Sequence, residues 1–434
     1  MGAHLSRRII LATFGSLGDL HPFIAIALQL KAHGHEPIVA TSPNFREHVT
    51  AAGLAFQPIR PDPEAILRDQ DMDLAQYGRA VMRDTIFILE SAVFPYLQST
   101  YDDLLPVIDG AALVLSSSLL FSARFAAERL RVPQLTVALQ PMVFVSAYDP
   151  PAVDPARWLA PILVKLGPRV TRAVYGRAKE LASRRAGALH AFRRRLGLPE
   201  SDMNPLFEGQ FSPQGTFAVY SSLLAPVQPD YPPNTLVSGF AFYDGNVAPA
   251  LEPALAEFLA SGPPPLVFTL GSFAVEFAGD FFRIGLEVTR RLRLRAVILA
   301  GPGHSEPYLT YRSSDVYIGG YAPYSLLFSR ALAIIHHGGI GTLGQALRAG
   351  RPQLIVPLLS DQFDNAVRAV RLGVARTVSR RRYRARRVTA EIRRLVGEPS
   401  FARRAAEIGG IVATDRGGER VAQAVDGLLL KDAP

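Results

Sequence analysis

Arg8-Ile9-Ile10-Leu11-Ala12-Thr13-Phe14-Gly15-Ser16-Leu17-Gly18-Asp19-Leu20-His21-Pro22 begins as an apolar run, turns on glycine and leads into a helical pattern. The spacing predicts a strand over 8–14 and a helix over 22–33, with Gly34 placed as a helix stop. Glycine lets the backbone turn tightly, and Pro22 suits the opening turn of a helix. Further strands are expected at 36–41, 55–59, 112–117 and 134–139. Helical patterns fill the gaps at 45–52, about 74–105 and 121–131.

Regular alternation stops between Pro141 and about Pro213, a segment with prolines, Trp158 and an Arg-rich helical stretch around 170–196. A proline-rich passage over 228–265 reads as a connection. The strand–helix pattern then restarts, with strands expected at 266–270, 296–300, 316–319, 332–336, 353–357 and 374–378 and helices at 341–348 and 361–372. Alternation of this kind implies α/β architecture with parallel sheets covered by helices. The expected organisation is two Rossmann-like domains, 1–227 and 266–415, facing across a cleft, with 228–265 as linker. A final helix, 416–434, is expected to pack back on the first domain. Ligands of such sheets bind beyond the carboxyl ends of the strands.

With 434 residues, 48% hydrophobic and 20% charged, the chain has ample material for two cores. Zero cysteines exclude disulfides, thiolate metal sites and a cysteine nucleophile. No apolar run reaches the ~18 residues of a membrane span, and the apolar stretch after Arg8 is too short for a signal peptide, so the cytoplasm is the expected compartment. The net charge is +9, almost all of the basic residues being arginine. Arginines cluster at Arg184-Arg185, Arg193 to Arg195, 290–295 and 380–387. These clusters read as solvated helix faces or as attraction to an anionic lipid surface, which leaves a peripheral contact with the inner membrane face open. No nucleic-acid motif accompanies them.

Gly15, Ser16, Gly18 and Asp19 lie where the first strand meets the first helix. A dinucleotide site would need Gly-x-Gly-x-x-Gly and a carboxylate ending the second strand, where Thr41-Ser42 stands instead. Asp19 has two compatible readings: a helix N-cap, or a general base drawing a proton from an attacking hydroxyl. His21 reads as a surface or packing residue.

Ile335-His336-His337-Gly338-Gly339-Ile340-Gly341-Thr342 is again strand, glycine turn and helix start. Free amides and the dipole of that helix start suit a diphosphate. His337 and Thr342 can add donors, whereas adjacent histidines on a strand point to opposite sides and make a poor metal pair. Asp361 and Gln362 carry the acceptor and amide groups that grip vicinal hydroxyls, although Asp361 also fits as an N-cap.

Taken together, Tyr321-Ala322-Pro323, His337 to Thr342, Gly350-x-Pro352, Asp361-Gln362 and Gly15-x-x-Gly18-Asp19-x-x-Pro22 resemble the signature of family 1, UDP-glycosyltransferase-like enzymes. The resemblance spans nearly the whole chain, is weakest over 141–213, and lies nearest the branch of rhamnolipid, sterol, macrolide and glycopeptide transferases. It implies the GT-B fold. By the same resemblance Asp19 is the catalytic base, Tyr321 stacks on the donor base and Ala322 contacts it through backbone. Gly271-Ser272 with His337, or His336 if the register slips by one, and Gly338, Gly339, Gly341 and Thr342 hold the diphosphate, and Asp361 and Gln362 hold the sugar. Two departures leave the donor nucleotide open between UDP and dTDP: Tyr324 stands where plant members have glutamine, and Gln345 where they have the glutamate that meets the ribose.

The expected reaction is inverting transfer of a hexose or deoxyhexose to a hydroxyl of a small, lipophilic acceptor. The nucleotide-sugar is a co-substrate and no metal or other cofactor is expected. The Asp69-Gln70-Asp71-Met72-Asp73 run, which mimics the Asp-x-Asp of metal-dependent transferases, reads as solvated loop. Phe144, Tyr148, Trp158, Leu159, Phe192, Phe207 and Phe211 either line the acceptor pocket or belong to the core. No nucleic-acid partner is expected, and the chain is a monomer or a homodimer. Competing readings are a nucleotide-sugar epimerase of similar fold and a non-catalytic membrane-surface subunit.

Overall fold

The computed structural model describes residues 6–431 apart from 85, 155 and 246–249. The chain divides into two compact units, 1–243 with 415–434, and 244–414. Residues 1–5 at the start, 246–249 of the expected linker and 432–434 of the expected last helix lie outside the described residues.

The first unit is built on strands β1 (Arg8–Ala12), β2 (Glu36–Thr41), β3 (Ala55–Pro58), β4 (Leu113–Ser117), β5 (Gln134–Ala138), β6 (Thr216–Ala218) and β7 (Thr235–Val237). They form one sheet in the order β3-β2-β1-β4-β5-β6-β7 with every pairing parallel. Parallel sheets are covered on both faces, which is why the inner strands are continuous apolar runs. In β1, Ile9, Ile10, Leu11 and Ala12 are all fully buried, and each large side chain withdrawn from water contributes roughly 1.5–3 kcal/mol. Leu11 sits between Val39 of β2 and Leu115 of β4. The chain first builds outward from β1 through β2 and β3 and then returns to place β4 on the other side of β1. That reversal puts a switch point beyond the carboxyl end of β1.

The second unit holds β8 (Leu266–Thr269), β9 (Ala296–Leu299), β10 (Val316–Gly319), β11 (Ala333–His336), β12 (Gln353–Ile355) and β13 (Ala375–Thr377). Their order is β10-β9-β8-β11-β12-β13, again all parallel. Here the reversal lies between β8 and β11, paired Ala333 to Leu266 and Ile335 to Phe268. The segment after β8 begins at Leu270-Gly271 and the segment after β11 at His337, so the two arrive side by side.

Every strand expected from the sequence is present, and β6 and β7 are additional. Each is three residues long, too short for an alternation signal. The passage expected to be a plain linker therefore contains β7 and a helix, Pro253–Ala260, opened by its proline. The expected long helix over 74–105 is split into Leu74–Arg83, a wide turn at Leu89–Val93, and Leu97–Ile108. The Asp-x-Asp mimic is structured rather than loose: Asp73 caps the Leu74–Arg83 helix through the Gln76 amide, and Asp69 accepts the Tyr96 hydroxyl at 2.6 Å.

The last helix, Gly417–Lys431, packs on the Leu17–Ala32 helix, with Val421, Ala422 and Val425 in the same apolar cluster as Phe23, Ile24 and Ala27. Gly418 permits the approach, since a β-carbon there would stand 3.1 Å from the Ala25 carbonyl oxygen. Asp426 fixes the end of the contact by taking His33 Nδ1 and His35 Nε2, each at 2.7 Å.

Candidate functional site

In the first unit β1 runs out through Thr13 and Phe14 to Gly15, whose φ of +134° is open to glycine and strained for any other residue. The helix starts at Leu17 with Ser16 as its N-cap, so the cap belongs to Ser16 and not to Asp19. Asp19 is the reciprocal partner of a capping box: its Oδ2 accepts the Ser16 N–H at 2.7 Å and the Ser16 hydroxyl at 3.0 Å. Both bonds end on Oδ2. Burial raises the Asp19 carboxyl above its ordinary range, and the bonds from Ser16 only partly offset that. Gly18 N–H donates to Ser16 Oγ at 3.2 Å, completing the turn. Because the helix begins at Leu17, Pro22 sits inside it rather than in its opening turn and has no N–H for the Gly18 carbonyl. His21 packs edge-on against Tyr243, ring centroids 5.4 Å apart.

In the second unit the two adjacent histidines separate completely. His336 is fully buried in β11, with Nδ1 accepting the Gly338 N–H at 3.1 Å and Nε2 donating to Gln353 Oε1 at 2.9 Å. That pattern makes it a neutral Nε2–H tautomer, and burial pushes its pKa down to about 4. His336 is therefore a strut beneath the glycine turn, and His337 is the histidine that reaches the turn's open side. His337 is buried too, its pKa pushed down to about 3 by burial and then by His336, and its Nδ1 is buried with no hydrogen-bond partner.

The space around the His337 ring is held open by glycines. A β-carbon on Gly271 (φ +69°) would come 2.9 Å from His337 Cε1 and 3.4 Å from Thr342 Oγ1. One on Gly339 would come 2.5 Å from His337 Nε2. Gly339 is the N-cap of the Ile340–Arg348 helix and gives it no side-chain cap. The N–H groups of Ile340, Gly341 and Thr342 thus point from a helix start without intrahelical acceptors. Gly338, at φ +94°, makes the turn. A helix dipole, open amides and the His337 ring meet at a turn where Gly271 and Gly339 leave no room for a side chain, which is the chemistry of an anion cradle.

Thr269 Oγ1 holds both the Gly271 N–H at 3.3 Å and the Tyr324 hydroxyl at 2.8 Å. Tyr324 is also tied to Thr342, and burial pushes its pKa up to about 12. Tyr321 is 63% exposed, while Ala322 is buried beneath it and Ser272 is exposed. Gln345 donates Nε2 to Asp244 Oδ1 at 3.2 Å and keeps a buried, unpartnered Oε1. Arg348 closes on the other Asp244 oxygen at 2.7 Å.

Asp361 stands at the N-cap of the Gln362–Arg371 helix without a side-chain cap bond; its Oδ2 accepts from Asn365 Nδ2 at 2.7 Å. The same Asn365 amide reaches the Gly338 carbonyl at 3.0 Å, so it ties Asp361 to the glycine turn. Gln362 is buried, and its Oε1 accepts the Leu358 and Leu359 N–H groups at 2.9 and 3.2 Å. That leaves only its NH₂ to meet a ligand. Sequence reasoning missed Thr269, Gln353, Asn365 and Asp244. None carries a motif of its own, and each acts through a partner far away in sequence.

The aromatic residues expected near the acceptor divide. Phe192 lies in the core against Tyr101 and Phe125, and Phe144 stacks between Phe211 at 5.2 Å and Tyr231 at 4.0 Å. Phe207 packs against the same core as Phe192. Tyr148 and Trp158 are exposed.

Residues 9–146 match the family described as Glycosyltransferase family 28 N-terminal domain, and residues 294–428 match Erythromycin biosynthesis protein CIII-like, C-terminal domain. The chain is 31% identical over 95% of its length to the O-mycaminosyltylonolide 6-deoxyallosyltransferase of Streptomyces fradiae, covering 95% of that protein. It is 27% identical to the vancomycin aglycone glucosyltransferase of Amycolatopsis orientalis, over 85% of this chain and 84% of that one. In fold it superposes on the glycosyltransferase of kitacinnamycin with a TM-score of 0.69 at 20% identity, over 98% of this chain and 100% of the other. The protein is a nucleotide-sugar-dependent glycosyltransferase with two Rossmann-like domains of the GT-B type. It belongs to family 1, the UDP-glycosyltransferase-like enzymes.

Proposed function

We propose that the enzyme transfers a hexose or deoxyhexose from a UDP- or dTDP-sugar to a hydroxyl of a small lipophilic acceptor, with inversion and without a metal. The acceptor oxygen forms a bond to the anomeric carbon as the bond from that carbon to the diphosphate oxygen breaks. The proton of the hydroxyl passes to Asp19, whose raised pKa makes it a better base than an ordinary carboxylate. Oδ2 is held by Ser16, and Oδ1 is the oxygen offered to the acceptor.

The leaving nucleoside diphosphate takes its charge into the cradle of Ile340, Gly341 and Thr342 amides with His337 as donor, fixed dipoles that need no rearrangement during the reaction. Tyr321 offers an exposed ring for the donor base, with the Ala322 backbone beside it, and Asp361 and the Gln362 amide meet sugar hydroxyls. The observation that carries the reading is the His337 imidazole at the glycine turn, its Nδ1 buried and unpartnered and its Cε1–Nε2 edge packed where Gly271 and Gly339 leave no room for a side chain. A polar atom left in that position is paired when an anion binds. The breadth of the donor range follows the relatives, named as a 6-deoxyallosyltransferase and a glucosyltransferase. A natural-product acceptor follows the same names, O-mycaminosyltylonolide and vancomycin aglycone, and its lipophilic character follows the family resemblance.

The test is Asp19→Asn assayed with UDP- and dTDP-sugars and pooled hydrophobic alcohols. Nucleoside diphosphate binding is expected to persist while transfer falls by about 10²–10⁴-fold. Transfer near the wild-type rate would remove Asp19 as base. Conversion of the sugar-nucleotide with no acceptor present would favour an epimerase.

A further inference from the structure

The segment after Arg157 folds as a helical hairpin, Leu159–Leu166 and Pro168–Ser183, joined at Gly167 with φ +83°. Of the sixteen residues in the second helix only Thr171 is buried, and in the first only Ala160 and Leu163. The exposed side is not polar. Trp158, Ile162 and Leu166 recur at i, i+4 and i+8, and Val170, Val174 and Leu181 at i, i+4 and i+11, so each helix shows an apolar stripe to solvent. Trp158 and Leu181 are each 62% exposed. Apolar stripes left to solvent in this way mark a contact with something outside the chain.

The charges around the stripes identify the partner. Lys165, Arg169 and Arg177 have no carboxylate partner among the described residues, and Arg172 lies over the Tyr148 ring at 5.2 Å with its hydroxyl at 3.1 Å. The carboxylates beside the hairpin are already neutralised, Asp154 by Arg157 at 2.7 Å and Glu180 by Arg184 at 3.8 Å. In the arginine clusters singled out from the sequence, several members are held in ion pairs on the surface. Arg185 pairs with Glu90 and Asp84, Arg193 with Glu128, Arg291 with Glu287 and Arg387 with Glu391. On the hairpin, exposed cations stand beside exposed apolar stripes.

We propose that this hairpin docks the enzyme on an anionic phospholipid surface. The two stripes enter the boundary between headgroups and acyl chains, Trp158 sits at that boundary, and Lys165, Arg169 and Arg177 meet lipid phosphates. A second copy of the chain fits the surface poorly, because a two-fold contact would set these cations against their own counterparts. The proposal stands on exposure and charge and is independent of the sugar chemistry.

Trp158 is the single tryptophan of the chain, so emission excited at the red edge, where tyrosine does not absorb, reports on this hairpin. Vesicles of phosphatidylglycerol with phosphatidylethanolamine are expected to blue-shift its emission and co-sediment the protein, with high salt reversing both. Pure phosphatidylcholine vesicles are expected to do neither. Arg169→Glu with Arg177→Glu changes only exposed side chains and is expected to weaken partitioning by at least about 25-fold, roughly fivefold for each cation removed, with the melting temperature unchanged. Val170→Ser with Val174→Ser is expected to weaken it as well. The proposal is overturned if no shift occurs with anionic vesicles, if neutral vesicles act equally, if charge reversal leaves partitioning unchanged, or if the shift follows protein concentration alone, which would mark self-association.

Discussion

A β-carbon on Gly15 would overlap Oδ2 of Asp19 and stand 2.7 Å from its Cγ, so the glycine vacates the volume that the carboxylate occupies. The same glycine has φ +134°, which other residues adopt only with strain. Gly15→Ala is therefore expected to displace the Asp19 carboxylate without touching any substrate. A displacement on the order of 1 Å costs about 100-fold in kcat/KM. Steady-state kinetics beside a thermal melt separates this from unfolding: a modest loss of melting temperature with an intact kcat/KM would show that the Asp19 position is not set by Gly15.

Burial raises the Asp19 pKa, which fixes the sign of its effect on stability. A carboxyl raised in the folded state stabilises fully below its unfolded pKa of about 3.9, and that contribution is lost as pH rises through the folded value. Once ionised, above that folded value, Asp19 works against folding. Asp19→Asn, which keeps an acceptor for the Ser16 N–H, is expected to melt no lower than wild type at pH 7 while transfer is lost. The acid limb of wild-type kcat/KM should lie above the ordinary carboxylate range. An acid limb within that range would contradict the raised pKa.

His336 and His337 are neighbours with opposite expected phenotypes. Removing the His336 ring with His336→Ala leaves Gln353 and the Gly338 N–H without their partner, at a cost of about 1–3 kcal/mol by denaturant unfolding. His337→Ala leaves stability largely intact and is expected to weaken nucleoside diphosphate binding by about 10–100-fold in calorimetry, the loss of one hydrogen bond to a charged group. Reversed phenotypes would move the phosphate role to His336. Because burial lowers both pKa values, to about 4 and about 3, their share of stability is full above about 6.5 and is lost as pH falls below it. The wild-type melting temperature should accordingly begin to fall once pH drops under that value.

For Asp426 the direction differs. Burial pushes its carboxyl up, but the hydrogen bonds from His35 and His33 and their charge outweigh that and leave it below the usual range. A lowered carboxylate stabilises above its unfolded pKa, about 3.9, and that contribution is lost as pH falls through the folded value. Asp426→Asn is expected to remove about 1–2 kcal/mol, given its partial exposure. Hydrogen exchange should report the loss locally, in 417–431 and in the facing helix 17–32. Uniform loosening of both units would contradict a local clasp.

Much of this protein was legible along the chain. The apolar runs of β1 and β8 to β13, the glycine turns at Gly15 and Gly338 and the helix starts behind them are local signals, carried by φ requirements and by period. Three-residue β6 and β7 were not legible, since the pairing of β6 with β5 and of β7 with β6 supplies the signal that their own residues lack. Neither was the cap at Ser16. Serine and aspartate three positions apart fit either as cap or as reciprocal acceptor, and only the backbone angle at Ser16 separates the two.

The sequence by itself determined the parallel α/β architecture, the location of both glycine turns and the family, because strand period, glycine conformation and motif spacing are properties of short stretches. Tertiary structure decided which histidine supports the turn and which faces its open side, that Asn365 and Asp361 brace the Gly338 carbonyl, and that the 158–181 hairpin leaves its apolar stripes exposed. Burial, pKa and hydrogen-bond partnership depend on atoms brought together from distant positions. No window of sequence contains them.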